Sequence, residues 1–269
     1  MNILESRVLV FDLETTGTSP TADGIVEFAA VELVHGRIGN VFSWRIDPMM
    51  PIPPEASDVH GITDADVADC PFFADVADQI ATLLRGADVV AGYNAVRFDA
   101  PFINEAFACV PHDFRLDPTR VLDPFIFLRR RHAHLPGTLA QVCDRFGVRL
   151  DNAHAAASDA RATADLLVAF MGAGGAGVMP SDLDHAWMVQ DRWRGVIEDE
   201  DAAFGRRLYR DYMGDGEEVL RIGFSKHRGR RLDEVDTGFL RWAVDLDGLH
   251  PGALDALQSE LTRRRNADI

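Results

Sequence analysis

The segment "RVLVFDLETTG", residues 7–17, limits the possible folds more than any other stretch of the chain. It is a short, nearly continuous run of β-branched and apolar residues, as expected of a strand buried on both faces, and it ends on two carboxylates, Asp12 and Glu14, with one leucine between them. A strand covered on both sides lies inside a sheet with further layers packed over it. Residues i and i+2 of a strand point the same way, so Asp12 and Glu14 share a face roughly 6.5 to 7 Å apart. Two like charges beside a core raise a pKa or cost several kcal/mol unless an arginine, a lysine or a metal lies between them. Hard oxygen ligands suit Mg²⁺ or Mn²⁺. An isolated Asp-x-Glu also fits a solvated strand end, so a metal site requires more carboxylates.

Downstream, "GIVEFAAVELV" and "GNVFSWRIDP" follow turn signals and read as two further strands of an antiparallel meander. "DVADQIATLLRG" carries Val76, Ile80, Leu83 and Leu84 at helical spacing, and "ADVVAGYN" reads as another strand. "FDAPFINEAF" and "SDARATADLLVAF" are helical patterns, the second with Ser158 as its expected N-cap. Strands followed by alternating helix and strand indicate an α/β or α+β sheet with helices packed on it. A first domain is expected over residues 1–171. The glycine-rich "GAGGAGVMPSD" begins a connector over 172–218, in which "DHAWMVQDRWRGVIEDEDAAFGRRLYRDYM" looks helical, and a compact basic module follows over 219–269.

No stretch approaches the roughly 18 apolar residues of a membrane span, and "MNILESRVLVFD" lacks a basic head followed by an apolar signal segment, so a soluble, cytoplasmic chain is expected. Cys70, Cys109 and Cys143 are odd in number and far apart, which argues against a disulfide framework or a zinc site. The formal net charge of −16 runs against nucleic-acid binding as a bulk property. The cationic charge is clustered, however, in Arg129–Arg131, in Arg228, Arg230 and Arg231, and in Arg263–Arg265, the last read as a solvated helix face or tail.

Two further carboxylates stand at element ends. Asp99 follows a strand in "GYNAVRFDA", and Asp159 opens a helix in "NAHAAASDARATADLL" on the same stripe as Ala162, Thr163, Leu166 and Phe170. An acid on the buried face of a helix calls for a partner, and a metal at the sheet is one that fits. His154 lies five residues before Asp159, a step of about 500° on a continuous helix, which assigns it to the loop ahead of the helix. A histidine by itself is more often structural; beside these acids it becomes a candidate base.

Together these residues resemble the DEDDh class of 3′→5′ exonucleases, which includes the proofreading subunit of bacterial replicative polymerase. Asp12, Glu14, Thr15, Thr16 and Gly17 match the first motif; Asn94, Phe98 and Asp99 match the second; His154 and Asp159 match the third; and "VHGITDADV" is similar to a segment placed before the second. Tyr93 stands where many members carry a histidine, and "GYNAVRFD" is similar to the bacterial exonucleases I and X.

The resemblance implies a ribonuclease H-like α/β fold, a mixed five-stranded sheet flanked by helices, with a small C-terminal α+β module. It also implies a pair of divalent ions, Mg²⁺ or Mn²⁺, held by Asp12, Glu14, Asp99 and Asp159, with Asp12 bridging them and His154 as general base. Thr15, Thr16, His60, Ile62 and Asn94 would cradle the terminal nucleotide. Phe98 or Phe102 would lie near its base, though aromatics on a helix are equally core residues. The implied substrate is the 3′ end of DNA, single strands favoured. RNA remains open, because the chemistry neither requires nor excludes a 2′-hydroxyl. A module that has lost catalysis is disfavoured because all five catalytic positions are filled. Association with a polymerase is possible but not favoured, no membrane is implied, and oligomeric state is not legible.

"IGFSKHRGRRLDEVDTGFLRWAV" is similar to the C-terminal module of exonuclease X-like proteins, which pairs a basic turn with an aromatic helix. Lys226, Arg228 and Arg230 in that turn are candidates to grip phosphate, and Trp242 at helical spacing from Phe239 is expected in the core.

Overall fold

The computed structural model of the 269-residue chain describes residues 1–131, 137–172, 177–198, 208–212, 218–222, 225–227, 230–246, 249 and 251–267. The chain divides into two compact units, Met1–Phe125 with Thr138–Trp187, and Ile126–Gly137 with Met188–Ile269.

The first unit is built on a five-stranded mixed sheet of order β3-β2-β1-β4-β5, in which β1 (Arg7–Thr15), β2 (Ile25–Val34) and β3 (Arg37–Arg45) form an antiparallel meander. β4 (Val89–Ala91) runs parallel to β1, and β5 (Val121–Leu122) runs parallel to β4. The apolar run of β1 makes it the central strand, as its two-sided burial requires. Leu9, Phe11 and Leu13 pack on one face against Ile80 and Leu84 of α3 (Phe73–Arg85) and Phe102, Ile103 and Phe107 of α4 (Asp99–Ala108). The other face is covered by α7 (Ala156–Met171), which packs on β1, β2 and β3. Two short helices, α1 (Pro54–His60) and α2 (Asp64–Val67), follow β3; in chain order α5 (Pro124–Arg131), most of which belongs to the second unit, and α6 (Leu139–Phe146) come between β5 and α7. A buried aromatic side chain contributes about 1.5 to 3 kcal/mol to such a core, and Phe11 and Phe28 stack at 6.0 Å inside it.

Three local expectations need correction. Ser158 does not cap α7: the helix begins at Ala156 after Ala155, which offers no capping side chain, and the Asp159 carboxylate accepts the His154 N–H in its place. β5 was not foreseen, because two residues carry no readable period. The helical pattern expected through "LYRDYM" is instead a strand, β6 (Leu208–Tyr212), paired antiparallel with β7 (Glu218–Ile222). Leu208 and Ile222 face each other across that ladder and are both fully buried, and tyrosines favour the pleated backbone.

In the region expected as a connector, residues 173–176, 199–207 and 213–217 lie outside the described residues. Val178, Met179, Leu183 and Ala186 are buried, and backbone hydrogen bonds from Ile3 to Ser181 and from Leu183 to Met1, each 2.8 Å, tie this stretch to the N-terminus. α8 (Leu183–Glu198) follows.

The second unit packs the β6–β7 hairpin with α9 (Thr237–Val244) and α10 (Pro251–Ala267) around Leu208, Ile222, Leu240, Ala243 and Leu257. Asp236 caps α9 by accepting the Phe239 N–H at 2.8 Å. The last arginine cluster is not simply a solvated tail. Arg264 donates to Glu260 and to the carbonyls of Leu232, Asp233 and Val235, stapling α10 to the turn ahead of α9. Trp242, expected in the core, is 50% exposed, whereas Phe239 is buried against His227. Among the described residues no helix is long and apolar enough to cross a membrane.

Candidate active site

The pleat of β1 sends Asp12 and Glu14 to the face that α7 covers, while Leu13 between them enters the core on the opposite face. Asp159 lies in the first turn of α7, on the buried stripe with Ala162, Thr163, Leu166 and Phe170. As a result, one carboxylate oxygen each from Asp12, Glu14 and Asp159 lie within 4.8 Å of one another. Asp99, the first residue of α4, accepts the Leu13 N–H at 3.0 Å and borders Asp12, although it lies outside that common radius.

Desolvation and mutual repulsion dominate the electrostatics of this group. Desolvation, then Asp99, Asp159, Glu14 and Glu27 in turn, hold the Asp12 carboxyl well above its ordinary range. Burial with the charges of Asp159, Glu27 and Asp99 pushes Glu14 up to about 8, and burial with the charge of Asp123 pushes Asp99 up to about 7 against its hydrogen bonds. Asp159 is raised by burial. At about 4 Å, like charges repel by about 4 kcal/mol at an effective dielectric of about 20. No Arg or Lys among the described residues forms an ion pair with any of the four. Asp159 Oδ1 is buried without a hydrogen-bond partner among the described residues, an orphaned acceptor on one of the three clustered carboxylates. An all-oxygen, partly buried donor set of this kind fits a divalent ion.

The sign of the pH dependence follows. Folded pKa values above the unfolded ones mean that the metal-free fold holds more protons than the unfolded chain between about pH 4 and 8, so its stability falls as pH rises through that window. A divalent ion binds the ionised forms, releases protons and relieves the repulsion. Apparent Mn²⁺ affinity therefore rises from pH 6 to pH 8, and calorimetry in buffers of different ionisation enthalpy detects proton release. Affinity independent of pH would contradict this electrostatic account.

His154 sits in the turn ahead of α7, exposed, with φ at +63°, and its N–H is held by Asp159 at 3.3 Å. A left-handed residue without a glycine's freedom is a local strain of about 1 to 2 kcal/mol, of the kind found where geometry serves a site. Thr15 and Thr16 are buried, their hydroxyls engaged with the Gly17 carbonyl and with Met50 and the Gly24 N–H. His60 ends α1; its Nδ1 accepts the Ile62 N–H at 3.0 Å, and burial, Arg45 and His154 lower its pKa against Thr15 and Glu27. Ile62 is buried with Val26, Ile52 and Val67. Asn94 takes φ +59° in the turn after β4. Phe98 keeps a partly open ring 5.0 Å from Phe102, which is itself in the core. In the second unit Lys226 and Arg230 are exposed, while Arg228 lies outside the described residues.

Two acids near the site were not foreseen from the sequence. Glu27 pairs directly across the ladder from Glu14, with Arg45 on its other side and the Ser43 hydroxyl donating to it at 2.9 Å. A glutamate inside the otherwise apolar "IVEFAAV" was its signal. Asp123 follows β5, fully buried, its pKa raised by desolvation to about 7. An acid directly after the apolar pair Val121–Leu122 repeats the pattern of Asp12, but that strand was too short to read.

Known proteins resemble this chain in sequence and fold. The sequence model of the exonuclease family (RNase_T) fits residues 9–167, more than half of the chain. The chain is 34% identical over 178 residues to the DNA polymerase III epsilon subunit of Pasteurella multocida, covering 62% of this chain and 69% of that one. It is also 34% identical over 184 residues to the epsilon subunit of Escherichia coli K12, covering 64% and 74%. Exonuclease X, solved with 5′-overhanging duplex DNA, superposes with a TM-score of 0.53 at 25% identity over 68% of this chain and 99% of that one. The fold of Escherichia coli exonuclease I, solved with single-stranded DNA, superposes with a TM-score of 0.61 at 17% identity over 97% and 70%. Exonucleases of this kind use divalent metal ions, for which the acidic cluster is present. With the sheet, the clustered carboxylates and the sequence match in agreement, the chain belongs to the DEDDh exonuclease family.

Proposed function

We propose that this chain is a metal-dependent 3′→5′ exodeoxyribonuclease that releases 5′-mononucleotides from DNA 3′ ends, with single strands favoured, in repair or turnover. The observation that carries the proposal is the convergence of Asp12, Glu14 and Asp159 oxygens within 4.8 Å, beside Asp99 and ahead of the His154 turn. Two divalent ions, Mg²⁺ or Mn²⁺, bound there supply Lewis-acid polarisation of the scissile phosphate and a lowered pKa for water. Asp12, Glu14, Asp99 and Asp159 would hold them, with Asp12 as the ligand common to both. His154 accepts the proton of the attacking water on its imidazole nitrogen, and its exposed position ahead of α7 gives it room to reach the substrate. The Thr15–Thr16 turn, His60, Ile62 and Asn94 bound the pocket for the terminal nucleotide, with the open face of Phe98 for its base. Lys226, Arg228 and Arg230 add phosphate contacts that offset the net charge of −16, which opposes DNA.

Support comes from solved relatives that carry DNA oligonucleotides. The relatives named as polymerase III subunits favour a second reading, a proofreading subunit, which predicts a stable complex with a polymerase. The test uses 5′-labelled single-stranded DNA, duplex DNA and RNA with Mg²⁺, Mn²⁺ or EDTA. A ladder from single-stranded DNA that EDTA abolishes is expected. RNA degraded as fast as DNA, or products released from the 5′ end, would overturn the proposal.

A further inference from the structure

The buried carboxylate of Asp123 lies outside the carboxylate cluster, yet it organises the loop from which Asp99 springs. Asp123 Oδ1 accepts the N–H of Asn94 at 2.8 Å and of Phe125 at 3.0 Å, and its Oδ2 accepts the N–H of Val96 at 3.3 Å. The Asn94 carbonyl in turn accepts the N–H groups of Arg97 and Phe98, each at 3.2 Å, and the Ala95 carbonyl accepts that of Ala100 at 2.8 Å, which starts α4 at Asp99. The loop cannot move far at its other end either. A Cβ on Gly92 would lie 2.6 Å from Ala95 Cβ and 2.8 Å from the Phe11 carbonyl, so the chain passes β1 in contact. Asp99 then closes the circuit by accepting the Leu13 N–H, between Asp12 and Glu14.

We infer that Asp123 is a positioning residue, clamping the 94–98 turn so that Asp99 is held against the Asp12 and Glu14 strand in the geometry the metal site needs. This rests on the metal-dependent reading above. Its physical basis is a full set of strong acceptors on one rigid side chain: two carboxylate oxygens fix two alternate amides of a turn whose Asn94 is held at a left-handed φ. Outer carboxylates that orient ligands typically change metal affinity or activity about 10- to 100-fold when removed.

Asp123→Asn keeps one carbonyl oxygen for Asn94 and Phe125 but sets an NH₂ against the Val96 N–H. Asp123→Ala leaves all three amides without this acceptor. Val121→Ala, a core truncation in β5 that leaves the Asp123 acceptors in place, serves as a control that lowers the melting temperature by packing loss. Mn²⁺ affinity is measured by calorimetry at pH 8, below every variant's melting point, together with amide hydrogen exchange of Asn94 and Val96, and kcat and KM on single-stranded DNA. Asp123→Asn is expected to weaken Mn²⁺ about 10-fold or more and to speed Val96 exchange. It is also expected to lower kcat with little change in KM, while Val121→Ala leaves Mn²⁺ affinity and kcat as in the wild type. If Asp123→Ala does not fold, Asp123→Asn decides. Wild-type Mn²⁺ affinity in Asp123→Asn, or an equal loss in Val121→Ala, overturns the inference. A wild-type chain that binds Mn²⁺ but leaves DNA intact overturns the proposed activity, and the Mn²⁺ comparison still judges Asp123.

Discussion

Asp12→Ala is expected to lower kcat on single-stranded DNA by about 10³-fold or more, because it removes a carboxylate central to the proposed metal site. The same substitution is expected to raise the melting temperature of the metal-free protein. Asp12 is raised by burial and by four carboxylate neighbours, so its ionised form opposes folding. Loss of activity with gain of apo stability separates a cation site from an ordinary structural acid, whose removal lowers both. In the wild type, a divalent ion at about 100 times its Kd adds about 2.7 kcal/mol, or about 5 to 11 °C for a domain of this size. Asp12→Ala should lose that gain. Thermal melts in EDTA and in Mn²⁺, beside the kinetics, read both halves; undiminished cleavage in the variant would remove the mechanism.

The second large effect is expected at His154. Loss of a general base costs about 10² to 10⁴ in kcat, and here metal binding should survive, because the imidazole is exposed and outside the converging oxygens. His154→Asn tests this more cleanly than His154→Ala, since asparagine tolerates the left-handed φ of +63°, while the backbone N–H that Asp159 accepts survives in either variant. Its Mn²⁺-dependent rise in melting temperature should equal that of the wild type while kcat collapses. A variant that also loses the Mn²⁺ shift would make His154 part of the metal shell.

The core of this arrangement was legible because charge in an apolar run has few explanations. Asp12 and Glu14 at the end of β1, and Asp159 on the buried stripe of α7, stood out against their neighbours and lie together in the structure. The five-residue offset likewise put His154 ahead of the helix. Residues whose roles depend on non-local pairing did not show themselves. Glu27 joins the site only through the β1–β2 register, and Asp123 through a two-residue parallel strand. Phe102 carries the same aromatic signal as Phe98, and only packing separates the core ring from the partly open one. In the second unit, tyrosines beside arginines in "RRLYRDYM" matched helix and strand alike until the hairpin with Glu218–Ile222 fixed the outcome. Arg264 looked like tail charge because its carbonyl partners lie about thirty residues away.

The account rests on the carboxylates of three separated segments acting together as ligands. The most direct measurement is the number of Mn²⁺ ions bound per chain, by calorimetry or by the loss of the free-ion electron paramagnetic resonance signal at pH 8, in wild type and Asp12→Ala. Two ions in the wild type, with binding lost or strongly weakened in the variant, is the predicted result. No bound Mn²⁺ in the wild type, or the same binding in both proteins, would contradict it.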